Sequence, residues 1–405
     1  MKKAINKAPQ ESRQRFHAWR FGMFIHYGLY SLLGRGEWAI CHERIAFDEY
    51  KQLTAAFTPA KLNINEWVSL AVKTKMRYMC LTTRHHEGFA LFDTRVSGFN
   101  SVKMFGRDIV REYVEACRAA GLGVGLYYSV ADWFDAGCID GPKKNPAAWK
   151  KFIEAAHAQL RELMSNYGRI DYLFYDGCPP PATWDIAGIN AEIRQLQPGI
   201  LISDRCGLDE DVKSAEGHTI SNPGKAWETC LTINDSWGYN SKDLFWKTPR
   251  ALIRTLLTTA HNNGNLLLNI GPRMDGSLQP GAIEALEKMG AWLERNGAAI
   301  FGTQGNPFNY ADQKLSTYKG NVAYVPLNFY FGSKTIVAGI ANQVKNVELL
   351  NTKASVKFRQ EGCRIFLEGL PEEDPDAFTT VVRMELDGAP LAEPHPLLAQ
   401  VNKYD

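Results

Sequence analysis

The sequence predicts an α/β protein: a (β/α) barrel over residues 1–303, then a small all-β sandwich over residues 304–405. Three observations point there. Strand-like and helix-like patterns alternate from about residue 20 to 300, which argues for a parallel sheet joined by crossover helices. Polar and aromatic groups collect directly after the strand-like runs, as on the C-terminal rim of such a barrel. After Gly302 the texture changes to short runs that alternate apolar and polar residues.

The strand candidates, in order, are 21–27, 77–83, 124–129, 172–175, 200–203, 231–234 and 266–270. Helices with readable ends lie between them. Asp108 caps one, which runs to Gly121. Asn145 and Pro146 open another, whose apolar residues from Trp149 to Met164 follow helical spacing. A third covers 184–197 and stops before Pro198, and a fourth runs over about 280–296. Length and repeat count favour a closed, TIM-like barrel over an open doubly wound sheet. No GxGxxG follows the first strand and no GxxxxGK[ST] occurs, so nucleotide binding has no support. In the C-terminal part, Val347/Leu349, Val356/Phe358 and Ile365/Leu367 alternate with polar residues. No isolated aromatic platform stands out there, so this part reads as a buttress for the barrel.

Composition narrows the class further. The formal net charge of +2 gives no bulk attraction to nucleic acid or to a membrane surface. No apolar run reaches the roughly 18 residues of a membrane span. The opening Met1-Lys2-Lys3 has no apolar core behind it, so the expected location is cytoplasmic, or periplasmic or secreted if the start was trimmed. Eight cysteines include no CxxC pair, which argues against a zinc ribbon, and Cys80 and Cys117 read as buried small hydrophobes. A homo-oligomer is possible.

The chemistry sits after the strands. Tyr172-Leu173-Phe174-Tyr175-Asp176-Gly177 is a buried strand ending on a carboxylate. Such a group is costly to bury without partners or a task. The ordinary alternative is a helix cap or a turn. Other strand ends carry His26-Tyr27, Arg84-His85-His86-Glu87, Tyr127-Tyr128-Ser129 and Asp204-Arg205, with Glu216 and Glu228 beyond. Six such ends on one rim favour a site. A metal is not expected: His85 and His86 are adjacent, so in an extended strand they face opposite ways, and no His-x-His pair occurs. A serine nucleophile lacks a GxSxG elbow. Two carboxylates among His, Arg, Trp and Tyr suit glycoside hydrolysis without a cofactor.

At these residues the sequence resembles the α-L-fucosidases of glycoside hydrolase family 29. The match runs in order from Phe21-Gly22-Met23-Phe24-Ile25-His26, through Gly36-Glu37-Trp38, His85-His86-Glu87-Gly88-Phe89 and Trp227-Glu228-Thr229-Cys230, to Asn263-Gly264-Asn265 and Phe301-Gly302. The resemblance implies a retaining mechanism with Asp176 as nucleophile and Glu216 as acid/base, Glu228 being the runner-up. It implies that His26, Glu37, Trp38, His85, His86, Tyr128 and Arg205 hold the sugar, with Tyr127 the neighbour of Tyr128. The implied substrate is a fucosylated oligosaccharide or glycoconjugate cut from its end. Tyr27 stands where a Trp commonly follows the histidine, and Cys206 where an aromatic is common, so the pocket edge is expected to differ. The alternatives are an α-L-galactosidase of the same family and a non-catalytic glycan-binding barrel.

Overall fold

The computed structural model describes residues 7–57, 61–221, 224–308 and 315–393. Eight parallel strands form one curled sheet: β1 Phe21–Ile25, β2 Tyr78–Arg84, β3 Gly123–Ser129, β4 Tyr172–Asp176, β5 Leu201–Ile202, β6 Lys213–Glu216, β7 Trp227–Thr232 and β8 Asn265–Ile270. The order is β5-β4-β3-β2-β1-β8-β7-β6. A single parallel bridge, Ser203 to Val212, joins the two ends and closes the barrel. That seam is thin. It holds two main-chain bonds, from Asp204 N to Val212 O and from Val212 N to Ile202 O. Carboxylates complete it, with Ile202 N donating to Asp211 and Ser214 N to Asp204.

Seven of these strands follow the sequence reading to within a few residues, and β6 was not anticipated. Its four residues Lys-Ser-Ala-Glu are mostly polar and only Ala215 is buried, so no apolar run marks it. β7 starts at Trp227 rather than 231, which changes where Glu228 lies. The helices match their signals. Asn145 accepts from Ala148 N ahead of the helix Pro146–Asn166, and Asp108 accepts from Arg111 N ahead of Ile109–Ala119. Each such cap stabilises a helix by about 1 kcal/mol.

Two apolar layers follow from the period-two alternation of the strands. In β3, Val124, Leu126 and Tyr128, with Val130 directly after the strand, face the helices in the large outer core. Phe24, Tyr78, Tyr127, Tyr172 and Phe174 fill the barrel interior. Phe24 lies 5.1 Å from Phe174 and 5.8 Å from Tyr127 by ring centroid. Such aromatic pairs plug the barrel beneath its rim.

The antiparallel part begins after the helix Pro280–Asn296. Its strands are β9 Gln304–Gly305, β10 Thr317–Lys319, β11 Val322–Leu327, β12 Lys334–Ala338, β13 Val344–Leu349, β14 Lys357–Glu361, β15 Arg364–Glu368 and β16 Thr380–Leu386. They form a sheet ordered β13-β16-β11-β10-β9 and a smaller one ordered β12-β15-β14. Val325, Val382 and Met384 meet Val337, Ile365 and Leu367 between the sheets. Tyr324 and Val381 point the other way and join the barrel's core. Trp292 Nε1 donates to Thr379 O across that junction. Phe329 and Phe331 stand exposed between β11 and β12, two aromatics that the alternation pattern did not reveal. The eight cysteines are all free, and no described helix is long and apolar enough to cross a membrane.

Candidate active site

The strand ends converge on one cavity of about 180 Å³. His26, directly after β1, holds Nδ1 2.6 Å from Asn269 Oδ1 on β8. Asn269 Nδ2 in turn donates to Trp237 O, which orients that amide. Tyr127 from β3 and Asp176 from β4 follow, then Arg205 after β5 and Glu216 at the end of β6. Glu37 and Trp38 come from the loop after β1. Glu37 is buried and accepts from Gly238 N at 2.7 Å. Trp38 is 42% exposed at the mouth and packs on Trp133 at 4.8 Å.

Asp176 is the best-tied group in this cavity. Arg205 Nη2 donates to its Oδ1 at 2.7 Å, Tyr127 Oη to its Oδ2 at 2.7 Å, and His86 Nε2 lies 3.6 Å away. Burial works against the charged form, but Arg205, His86 and the two hydrogen bonds outweigh it and hold the carboxyl below its ordinary value. The turn that follows β4 needs Gly177. Its φ is +55°, and a Cβ there would lie 2.8 Å from the Ala131 side chain and 3.1 Å from the His86 ring. The cavity is therefore supplied with an ionised carboxylate, while burial pushes the nearby His26 down to about 4 and leaves it neutral.

Glu216 has a different setting. Arg205 Nη1 reaches its Oε2 at 2.9 Å, so one guanidinium spans both carboxylates. Glu216 and Trp237 also line a second, adjoining cavity of about 540 Å³, together with Thr232, Asp235 and Lys247. A larger groove of about 760 Å³ lies at the opposite end of the strands, between Pro9 and Arg15 on one side and Leu196 and Gly199 on the other. It brings no pair of carboxylates together, so volume does not select the site.

The structure gathers His26, Glu37, Trp38, His85, His86, Asp176, Arg205 and Glu216 around one cavity. Two sequence expectations are corrected. Tyr128 points outward and donates to Gln159 at 2.8 Å, because it belongs to the apolar strip facing the helices; Tyr127 lines the cavity. Glu228 is the second residue of β7 and lies deep in the barrel, where Tyr78 and Tyr172 donate to it at 2.9 and 2.5 Å. It is fully buried, touches neither cavity, and burial pushes its pKa up to about 7. The expected changes at the pocket edge do not arise either. Tyr27 donates to Met274 O and packs on Trp67, and Cys206 is buried in the outer core. Phe24, Phe174, Cys230 and Trp237 also line the cavity; the first three lie at inward positions of their strands, a signal that alternation carries.

The two adjacent histidines do not diverge. β2 ends at Arg84, the chain turns, and the rings lie 4.1 Å apart on the same cavity. Donor atoms of His85, His86 and Asp176 come within 4.8 Å of one another. A cation would have to compete with Arg205, which already occupies Asp176, and the arrangement is that of a salt-bridged carboxylate.

A family model described as alpha-L-fucosidase matches residues 2–298. The chain belongs to the alpha-L-fucosidase family. It is thus a glycoside hydrolase of glycoside hydrolase family 29. The human plasma alpha-L-fucosidase is 31% identical over 318 residues, covering 70% of this chain and 68% of that one. Alpha-L-fucosidase isoenzyme 1 from Paenibacillus thiaminolyticus superposes with a TM-score of 0.87 at 32% identity, over 93% of this chain and 99% of that one. The fucosidase from Bacteroides thetaiotaomicron, solved as a trapped covalent intermediate with 2-fluoro-fucosyl fluoride, gives 0.85 at 25% identity, over 94% and 97%. This fucosidase shares with them the catalytic barrel followed by antiparallel sheets.

Proposed function

We propose that this fucosidase releases terminal α-L-fucosyl residues from glycans with retention, by attack of Asp176 on the anomeric carbon and proton transfer by Glu216. One observation carries the assignment: Glu216 is the carboxylate that lines both cavities. The small cavity, walled by three histidines and closed below by Phe24 and Phe174, receives one sugar ring. The adjoining one receives the leaving group. An acid/base must stand at the oxygen between them.

In the first step the Asp176 carboxylate bonds to the anomeric carbon as the glycosidic bond breaks, and Glu216 gives its proton to the departing oxygen. In the second, Glu216 takes a proton from water, whose oxygen displaces Asp176. Retention needs the two carboxyls roughly 5–5.5 Å apart, and one shared guanidinium suits that scale. The Tyr127 and Arg205 bonds to Asp176 keep the nucleophile ionised and aimed. The covalent intermediate trapped on the Bacteroides relative supports the same route.

The test has two readouts. Proton NMR of 4-nitrophenyl α-L-fucoside hydrolysis should show the α-anomer of fucose first. Mass spectrometry after a 2-fluoro-fucosyl donor should find the label on the peptide that contains Asp176. First-formed β-anomer, or a label elsewhere, would overturn the assignment.

A further inference from the structure

Behind the pocket wall two buried polar atoms face each other without partners. His85 Nδ1 and Glu87 Oε2 are both buried, neither makes a hydrogen bond among the described residues, and they lie 3.6 Å apart. Few native groups are left so. Hydrogen bonds of this kind are often long in a free enzyme and tighten once substrate is bound. We infer that Glu87 is a positioning residue that holds the His85 ring with its proton on Nε2, so that His85 meets the sugar as a hydrogen-bond donor.

The argument runs through charge and complementarity. Glu87 is fully buried, and its Oε1 packs against Gly28, where a Cβ would lie 3.0 Å away, so the absence of a side chain there leaves room for the carboxyl. The groups that act on it are Arg84, Asp132, Glu37, Tyr30, Tyr50 and His85. Arg84 is the only one with a fixed positive charge, and its guanidinium is already bound to Ser129 O and Asp132. Asp132 and Glu37 oppose a second negative charge. Burial accordingly pushes the Glu87 carboxyl up to about 8, so it carries its proton at neutral pH. A protonated carboxyl needs an acceptor. The Nδ1 lone pair of neutral His85 is the partnerless acceptor facing it. Burial, with His86 and His26 alongside, keeps that ring neutral.

The consequence is a polarity pattern on the cavity wall. His26 is held from behind in the opposite sense. Asn269 Oδ1 accepts from its Nδ1, which leaves Nε2 as an acceptor. His85 and His26, with ring centroids 5.7 Å apart, then present one donor and one acceptor. A sugar hydroxyl both gives and receives a hydrogen bond, and this pair supplies each kind of contact.

This inference rests on the reading that the cavity holds the fucosyl ring, and its test separates the two. The probe is nitrogen-15 NMR of the histidine rings in the free protein, with His85 assigned from its missing signal in His85→Asn. The expected wild-type spectrum has His85 protonated on Nε2. Glu87→Gln should keep that tautomer, because its amide still donates to Nδ1, and should keep KM for 4-nitrophenyl α-L-fucoside within about threefold. Glu87→Leu should lose the single tautomer and raise KM roughly tenfold, with kcat changing much less, as loss of one hydrogen bond made in ground and transition state alike does. His85 protonated on Nδ1 in the wild type, or a changed tautomer in Glu87→Gln, would overturn the inference. Should Glu87→Leu not fold, the wild-type and Gln spectra decide alone. The expected tautomers in a protein that hydrolyses no fucoside would overturn the proposed function and leave this inference standing.

Discussion

Two carboxylates in one barrel, one half-buried and one fully buried, have opposite fates. Asp176 sits on the rim and Glu228 near the other end of the strands, and each accepts hydrogen bonds from interior tyrosines. Asp176 also has Arg205 at 2.7 Å and stays ionised below the ordinary carboxylate value. Glu228 has only hydroxyls against its oxygens, and burial lifts it to about 7. Tyrosine hydroxyls alone do not keep a buried carboxylate charged; a cation in contact does. The same chemistry thus yields an ionised carboxylate, the proposed nucleophile, in one place and a polar plug in the other.

That contrast can be broken from its strongest side first. Asp176→Ala should lower kcat/KM for 4-nitrophenyl α-L-fucoside by several kcal/mol of transition-state stabilisation, at least a thousandfold. The matching change at the other end, Glu228→Gln, should leave that kcat/KM within a few fold. Equal losses would erase the distinction.

Glu216→Ala should come next. Its cost should depend on the leaving group: a hundredfold or more with a fucosyl disaccharide, far less with 4-nitrophenol, which departs without a proton. Steady-state kinetics on both substrates checks this, and an equal loss on both would remove Glu216 from the acid role.

Arg205→Met sharpens the comparison by making Asp176 resemble Glu228. Arg205 favours the ionised form, so its removal should raise the Asp176 pKa. The acid limb of kcat/KM, expected in the wild type below the ordinary carboxylate range because Arg205 and His86 hold Asp176 down, should move to higher pH. A limb that stays in place would mean another group sets it.

The smallest effect concerns stability. The Glu228 pKa is raised on folding, from 4.5 to about 7, so the folded state binds this proton more tightly than the unfolded chain. Its contribution is fully present below pH 4.5 and is lost as pH rises through 7. Glu228→Gln should remove that slope and stabilise the protein at pH 8 by an amount on the order of 3 kcal/mol or less. Thermal unfolding at pH 5 and pH 8 measures it.

How much was legible follows from what each segment had to bury. β2, β3, β4 and β8 lie between two apolar layers, and the apolar runs at their centres announce them. β6 is edge-like, polar and partly exposed, so it looks like a loop. The choice between Tyr127 and Tyr128 was readable in principle. Val124, Leu126 and Tyr128, with Val130 directly after the strand, form the apolar strip of β3, which leaves Gly125 and Tyr127 for the barrel interior. The paired histidines were not readable, because the strand rule fails once the strand ends at Arg84. Glu228 misled because its strand starts four residues before its apolar residues suggest, which turns a presumed rim position into a floor position.

The thin closure of the barrel places the two carboxylates of the proposed mechanism on opposite banks. Asp176 and Arg205 stand on the β4–β5 side, and Glu216 stands on β6 across the gap. The β4–β5 junction beside it has two residue pairs, and the other six are stitched by ladders of four or more. Breathing of the fold concentrates where ladders are shortest. The amides of Val212 and Ser214 should therefore exchange sooner than those of β2 or β3. On the proposed mechanism, the spacing of nucleophile and proton donor is then set across the shortest ladder of the barrel, with the Arg205 guanidinium as the side-chain tie between them.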